Sequence, residues 1–243
     1  MHPTEILIRR LRANTRLSDE DAAAIKTLPV DVKQLTADTY VVREGDCPKR
    51  SCLVLSGFLC RSKIAENGKR QILSFHIPGD IPDLQSLFLR AMDHDLATIS
   101  AATLGFIDHS ALSALIEQRP AVARAFWCET LIDAAIFREW IVNVAVRQAP
   151  ARMAHLLAEM RERLATVGLV GDDEFEFPVT QSDLAEALGL SVVHVNRVLQ
   201  GFRAHGVLDL QKKMVKLIDV ERVLIEGGFD SAYLHQNGNA SPS

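Results

Sequence analysis

Apolar side chains crowd the stretch from Ala121 to about Gln148 more densely than one helix face can use. Val122, Phe126, Trp127, Leu131, Ile132, Ala135, Ile136, Phe137, Trp140, Ile141, Val144 and Ala145 recur at helical spacing. A surface helix docks by one stripe, and this set is far wider. Such a helix buries two faces, one on its own chain and one on a second copy. A small β-domain cannot cover about seven helical turns on all sides. The dimer face is expected at Phe126, Leu131, Ile132, Ala135, Trp140, Ile141 and Val144. Pro150 breaks the helix, and "ARMAHLLAEMRERLATVG" starts a new amphipathic one.

Upstream the pattern changes. Residues 5–27 contain a short amphipathic helix pattern, and from about 28 to 108 short β-like runs are broken by Gly and Pro. "SCLVLSGFLCRSKI" reads as two strands about Ser56-Gly57, and "LATISAATLGFID" as two more. "AENGKRQILSFHIPGD" carries an Asn67-Gly68 hairpin turn in which both residues accept positive φ. Short strands at this spacing predict a sandwich or barrel. "DHSALSALIEQRP" predicts a short helix stopped at Pro120.

Downstream, "QSDLAEALGLSVVHVNRVLQ" predicts two short helices about a tight turn. Leu184 and Leu188 share one face of the first, Val195 and Val198 one face of the second. Ala185 must be small where the second helix crosses, and Gly189 supplies the positive φ that ends the first. Thr180 caps the first helix with Asp183 completing a capping box, and Ser191 caps the second. This is a helix-turn-helix whose second helix, Ser191 to about His205, is offered to a DNA major groove. "GVLDLQKKMVKLID" adds two strands about Lys212-Lys213, a wing placed to meet phosphates. The expected DNA-binding residues are Thr180, Gln181, Ser191, Val192, Val193, His194, Asn196, Arg197, Lys212 and Lys213. Arg197 is the strongest base reader, because a guanidinium gives two parallel hydrogen bonds to guanine. Asn196 suits an adenine edge and Val193 a thymine methyl.

Charge supports this locally. The chain's net charge is −4. Residues 191–216, however, carry Arg197, Arg203, Lys212, Lys213 and Lys216 against Asp209, and a phosphate backbone responds to the patch. Cys47, Cys52, Cys60 and Cys128 follow no disulfide or zinc spacing. The N-terminus does not read as a secretory signal and no run approaches a membrane span, so a cytoplasmic protein without a membrane partner is expected. No nucleophile–base set emerges, and a non-enzyme without catalytic residues, cofactor or metal is expected.

The order of a glycine-punctuated β-domain, a long apolar helix and a winged helix-turn-helix resembles the bacterial Crp/Fnr family of transcription regulators. The resemblance covers about residues 28 to 220. It is carried by "EGD", "LSGFL", "NGKR", "IPGD" and "VTQSDLAEALGLSVVHVNRVLQGFRAHGVL". It implies an α+β chain with an N-terminal double-stranded β-helix, or jelly roll, like that which binds cyclic nucleotides. The expected parts are a β-roll domain with its N-terminal helix at 1–118, a dimerisation helix at 119–148, a winged helix-turn-helix at 149–226 and a tail at 227–243 with "HQNGNASPS" disordered. The resemblance further implies a homodimer on a palindromic operator, an unidentified signal acting on the β-roll, and RNA polymerase as a partner.

Departures from the family pattern narrow this. Cyclic-nucleotide-binding members carry Gly-Glu and Arg-Ser pairs after "PGD"; here Asp83-Leu84 and His94-Asp95 take those places. Aspartate repels a phosphate, so no high-affinity cyclic nucleotide binding is expected. The first forty-six residues hold no cysteine for an iron–sulfur cluster, and His76 before "IPGD" is expected to pack rather than to ligate haem. Val193 replaces the glutamate with which many relatives read a base, whereas Arg197 matches their reading arginine. The alternative is a β-roll small-molecule or metal-binding, cupin-like protein, but His76, His94 and His109 form no metal-ligand pair. A scaffold-like subunit would leave Arg197 and the lysine wing without purpose.

Overall fold

The computed structural model describes residues 2–236. The chain divides into two compact units, one built mainly from residues 1–61 and 75–134, the other from 62–74 and 135–234.

The first unit opens with two helices where the sequence pattern suggested one, α1 (Glu5–Asn14) and α2 (Asp19–Lys26). Ser18 causes the break: its hydroxyl accepts the Asp21 N–H at 3.1 Å and starts the second helix. Strands β1 (Asp31–Leu35), β3 (Arg50–Ser56) and β7 (Ala102–Asp108) form one sheet in the order β1-β7-β3. Strands β2 (Tyr40–Val42), β6 (Asp95–Thr98), β4 (Leu59–Ile64) and β5 (Arg70–His76) form the other, in that order. Non-consecutive neighbours in both sheets make this a roll rather than a meander. Val42, Cys52, Val54, Leu59, Leu96 and Leu104 make one core cluster. Leu7, Leu11, Ile25, Leu53, Ile107 and Phe126 belong to a second, with Leu112 and Leu115 of α3 (His109–Gln118).

The hairpin at Asn67-Gly68 forms differently from the expectation. Gly68 alone takes positive φ (77°). Asn67 instead accepts the Lys69 N–H with its side-chain oxygen at 3.1 Å, a local bond that asparagine favours in turns.

Helix α4 (Pro120–Val146) ends before Pro150, which sits in the first turn of α5 (Ala149–Thr166), where its missing N–H costs nothing. In the second unit α5 packs on α8 (Val220–Gly227). Helices α6 (Gln181–Leu188) and α7 (Val192–Ala204) follow the turn at Gly189. Strands β8 (Glu174–Glu176), β10 (Met214–Leu217) and β9 (Leu208–Gln211) form a sheet in that order. The segment "GDDEFEFPV" is thus no simple acidic loop. Phe175 and Phe177 are buried while Glu176 is exposed, a strand's alternation.

One further boundary differs. The expected tail begins later than residue 227: Gly227 closes α8, and Tyr233 donates to buried Glu159 at 2.9 Å. Of "HQNGNASPS", residues 237–243 lie outside those described. Among described residues no helix is long and apolar enough to cross a membrane.

Gly57, in the turn joining β3 to β4, has φ +80°, and a Cβ there would lie 2.4 Å from the Ala101 carbonyl oxygen. Gly57→Ala should therefore lower stability by at least about 1–3 kcal/mol from backbone strain alone. Urea unfolding checks this, and an unchanged midpoint would show that the turn relaxes at no cost.

Candidate nucleic-acid interface

The α6–α7 pair is built as its residue types require. Thr180 and Asp183 form a complete capping box, with the Asp183 N–H donating to the Thr180 hydroxyl at 3.1 Å and the Thr180 N–H to the Asp183 carboxylate at 2.9 Å. Gly189 closes α6 in the left-handed region, at φ 63° and ψ 39°. The Ser191 hydroxyl accepts the His194 N–H at 3.2 Å and starts α7. Leu184, Ala185, Leu188, Val195 and Val198 are all buried, so the crossing is held by apolar contact.

That packing leaves the opposite face of α7 open. Val192, Val193, Asn196, Arg197 and Gln200 border one shallow concavity of about 360 Å³, together with Gln181 from the start of α6. Val193 is 70% exposed, which leaves its methyl groups open to meet an apolar methyl. Asn196 donates its amide to the Gln181 side-chain oxygen at 3.3 Å, which orients it across the two helices. Arg197 is exposed, and its guanidinium makes no hydrogen bond or ion pair with described residues.

The remaining expected contacts divide. The hydroxyls of Thr180 and Ser191 are already used as caps. His194 lies on the other flank of Arg197, in a separate cleft with Gly201 and His205. Gln200 is a member of the open face that the sequence reading missed, although its spacing from Val193 and Arg197 is that of one helix face. Arg203 is withdrawn from the basic patch, since Asp209 binds it at 2.7 Å.

The wing is a two-residue hairpin: Gln211 pairs with Met214, and Lys212 and Lys213 take φ of 50° and 72°. Such loops demand positive φ and ordinarily use Asn-Gly. Lysines there carry backbone strain, about 1–2 kcal/mol each by the left-handed cost. The reward is two exposed ammonium groups at the tip. The Lys213 carbonyl accepts the Phe177 N–H at 2.7 Å and anchors the turn.

Along helix α4 the residues expected at the dimer face divide between covered and open positions. Phe126, Ile132, Ala135 and Trp140 are 4–6% exposed, already covered within the chain. Phe126 belongs to the first unit's core, and the Trp140 indole donates to buried Glu159 at 3.0 Å. Leu131 and Ile141 do face outward, at 54% and 65% exposed, and Val144 is half-buried. With them lie Trp127, at 67%, Val142 and Val146. Positions 127, 131, 134, 138, 141 and 145 alternate steps of four and three, a spacing that coiled coils also use, with Arg138 as the charged member.

Within the first unit, the residues at the places of a cyclic nucleotide's partners are already engaged by other groups of the protein. Asp83 is buried and its carboxylate accepts the Cys52 N–H at 2.8 Å; burial pushes its pKa up to about 7. Arg61 donates to Asp133 at 2.9 Å and to the Pro82 carbonyl. Arg10 binds Glu129 at 3.1 Å, with Asp80 at 3.8 Å. Burial, then the charge of Arg61, lowers His94 to about 4, which keeps it neutral. The buried arginines are matched to carboxylates, so this arrangement does not fit a cyclic phosphate. Nor do three or more metal-binding side chains converge among the described residues, and the cupin-like alternative is not favoured.

A β-roll and a winged helix-turn-helix with its second helix laid open define a DNA-binding regulator. The comparisons agree. A cyclic nucleotide-binding domain model matches residues 32–119, and a Crp-like helix-turn-helix model matches 151–224. The transcriptional activator FnrL of Cereibacter sphaeroides is 25% identical over 231 residues, covering 92% of this chain and 91% of its own. The nitrogen fixation regulation protein FixK of Bradyrhizobium diazoefficiens is 28% identical over 184 residues, covering 75% and 76%. The solved structure of FixK2 from Bradyrhizobium japonicum shares the fold, with a TM-score of 0.76 at 22% identity, covering 84% of this chain and all of that one. The chain belongs to the Crp/Fnr family of transcription regulators.

Cyclic AMP titrated into the protein in a calorimeter should give no saturable binding. A micromolar dissociation constant would contradict the engagement of Arg61 by Asp133 and the burial of Asp83 against the Cys52 N–H.

Proposed function

We propose that two copies of the chain pair along the open seam of α4 and read a palindromic operator with their two α7 helices, in the cytoplasm, and that RNA polymerase is the onward partner. The observation that carries this is Arg197. It stands on the exposed face of α7, unengaged, between Val193, Asn196 and Gln200. A guanidinium so placed can give a guanine two parallel hydrogen bonds, and the valine beside it can meet a thymine methyl. Lys212 and Lys213 hold the neighbouring phosphates, which fixes register without reading sequence. Symmetry supplies the second half-site about one helical turn away. An unidentified signal acts on the β-roll. The four expected seam residues that are covered in the single chain yield their places to Trp127, Ala134 and Ala145 beside Leu131 and Ile141.

Selection of bound sequences from random duplex DNA tests the reading as a whole. On the selected site Arg197→Ala should cost about 1–3 kcal/mol and relax one base position in each half. Unchanged affinity would remove α7 as the reading helix. Ile141→Glu places a carboxylate in the seam and should yield monomers in sedimentation, with operator binding weakened; an intact dimer would exclude the seam. Lys213→Gly should relieve strain in the turn and raise the melting temperature while weakening every duplex alike. A variant that binds as tightly as the parent would mean that the wing touches no phosphate.

A further inference from the structure

A second concavity flanks α7 on the side away from Gln181. It measures about 320 Å³ and is bordered by Pro150, His194, Arg197, Gly201, His205 and, from α8, Arg222 and Glu226. Its charges are unusual for this unit. From Arg147 to Arg222 the other arginines all donate to protein acceptors: Arg147 to Glu139, Arg152 to the Leu188 carbonyl, Arg161 to Asp173, Arg163 to Glu159 and Arg203 to Asp209. Among described residues Arg197 and Arg222 make no such bond, and both border this cleft.

Arg222 had an alternative close at hand. Glu226 lies one helical turn on, the spacing at which opposite charges pair along a helix, yet the two form no ion pair. The backbone N–H of Arg222 is engaged by the Asp219 cap at 3.0 Å, and its guanidinium makes no bond with described residues. Glu226 contributes a carboxylate to the cleft, against two guanidinium groups and the two imidazoles of His194 and His205. The excess is cationic and borders the helix that faces DNA. An anion repeated along a strand beside that helix is the phosphodiester backbone.

We propose that α8 is a further DNA-contacting element, and that Arg222 takes a backbone phosphate in the cleft between α7 and α8. This rests on the reading of α7 as the groove helix and deepens it. The strand that edges the groove would run past His194 and Arg222 on one side, while the wing lysines hold phosphates elsewhere. Arg222 adds affinity and orientation and reads no base.

The test uses the full-length dimer, with its selected operator and an unrelated duplex of equal length, titrated by fluorescence anisotropy over a salt series. Arg222→Ala should weaken both duplexes by the same factor, roughly threefold to tenfold at low salt. The slope of log affinity against log salt should become shallower by about two, one phosphate being lost in each half-site. Arg222→Lys, which keeps the charge, should retain the parent's slope. Because Arg222 is exposed, both variants should melt like the parent. A parental slope in Arg222→Ala overturns the proposal while leaving the α7 reading intact, as does a variant that binds DNA normally but fails only in transcription. If Arg222→Ala loses discrimination between the duplexes at an unchanged slope, Arg222 reads a base and the phosphate assignment is wrong. If the parent binds neither duplex, the reading of α7 fails first.

Discussion

Two short helices can present a reading surface only if they cannot move against one another, and here that rigidity comes from a small apolar crossing. Leu184, Ala185 and Leu188 of α6 lie buried, as do Val195 and Val198 of α7. A larger side chain at Ala185 would force the helices apart, and without the left-handed Gly189 the chain could not turn sharply enough to bring them together. Both helix starts are sealed by side-chain caps, so the pair spends its hydroxyls on its own geometry. Everything proposed about DNA depends on this crossing, because it fixes which face of α7 is left over.

What is left over has a distinct electrostatic character. The chain as a whole is acidic, with a net charge of −4, and most arginines of the second unit are consumed by carboxylates or carbonyls. Among the described residues Arg197, Lys212 and Lys213 have no such partner. The wing shows the same economy from the backbone side, since two lysines occupy a turn where asparagine and glycine would sit with less strain. Strain kept at a loop tip, in exchange for two charges, is the pattern expected where a surface has work to do. In the first unit the opposite holds. Arg10 and Arg61 are buried and matched to carboxylates, and little charge is left to receive a phosphate.

Much of this was legible in the residues. Caps, turn glycine and apolar spacing located α6 and α7, because local rules act over a few residues and leave marks at fixed offsets. The strands about Gly57 and the break at Pro150 were legible for the same reason. The faces of α4 were not. Phe126, Trp127, Trp140 and Ile141 are alike in hydrophobicity, and only tertiary packing decides that Trp140 meets Glu159 while Trp127 looks outward. Strand β8 was hidden by its glutamates, although Phe175 and Phe177 alternated with them. Asn67 shows the limit of turn rules, since its side chain found a partner and its backbone had no need of positive φ. The contact of Tyr233 with Glu159 joins residues far apart in sequence and left no local trace.

The central claim is that Arg197 meets the major-groove edge of a guanine in each half of a symmetric site. Methylation interference on the selected operator probes that contact directly, because a methyl group on guanine N7 blocks one of the two bonds an arginine makes there. The account predicts that methylation of one guanine in each half-site, with half-site centres about one helical turn apart, abolishes binding by the parent, and that the same methylations leave the residual binding of Arg197→Ala unchanged. Binding that tolerates methylation at every guanine, or interference confined to one half of the site, would contradict it.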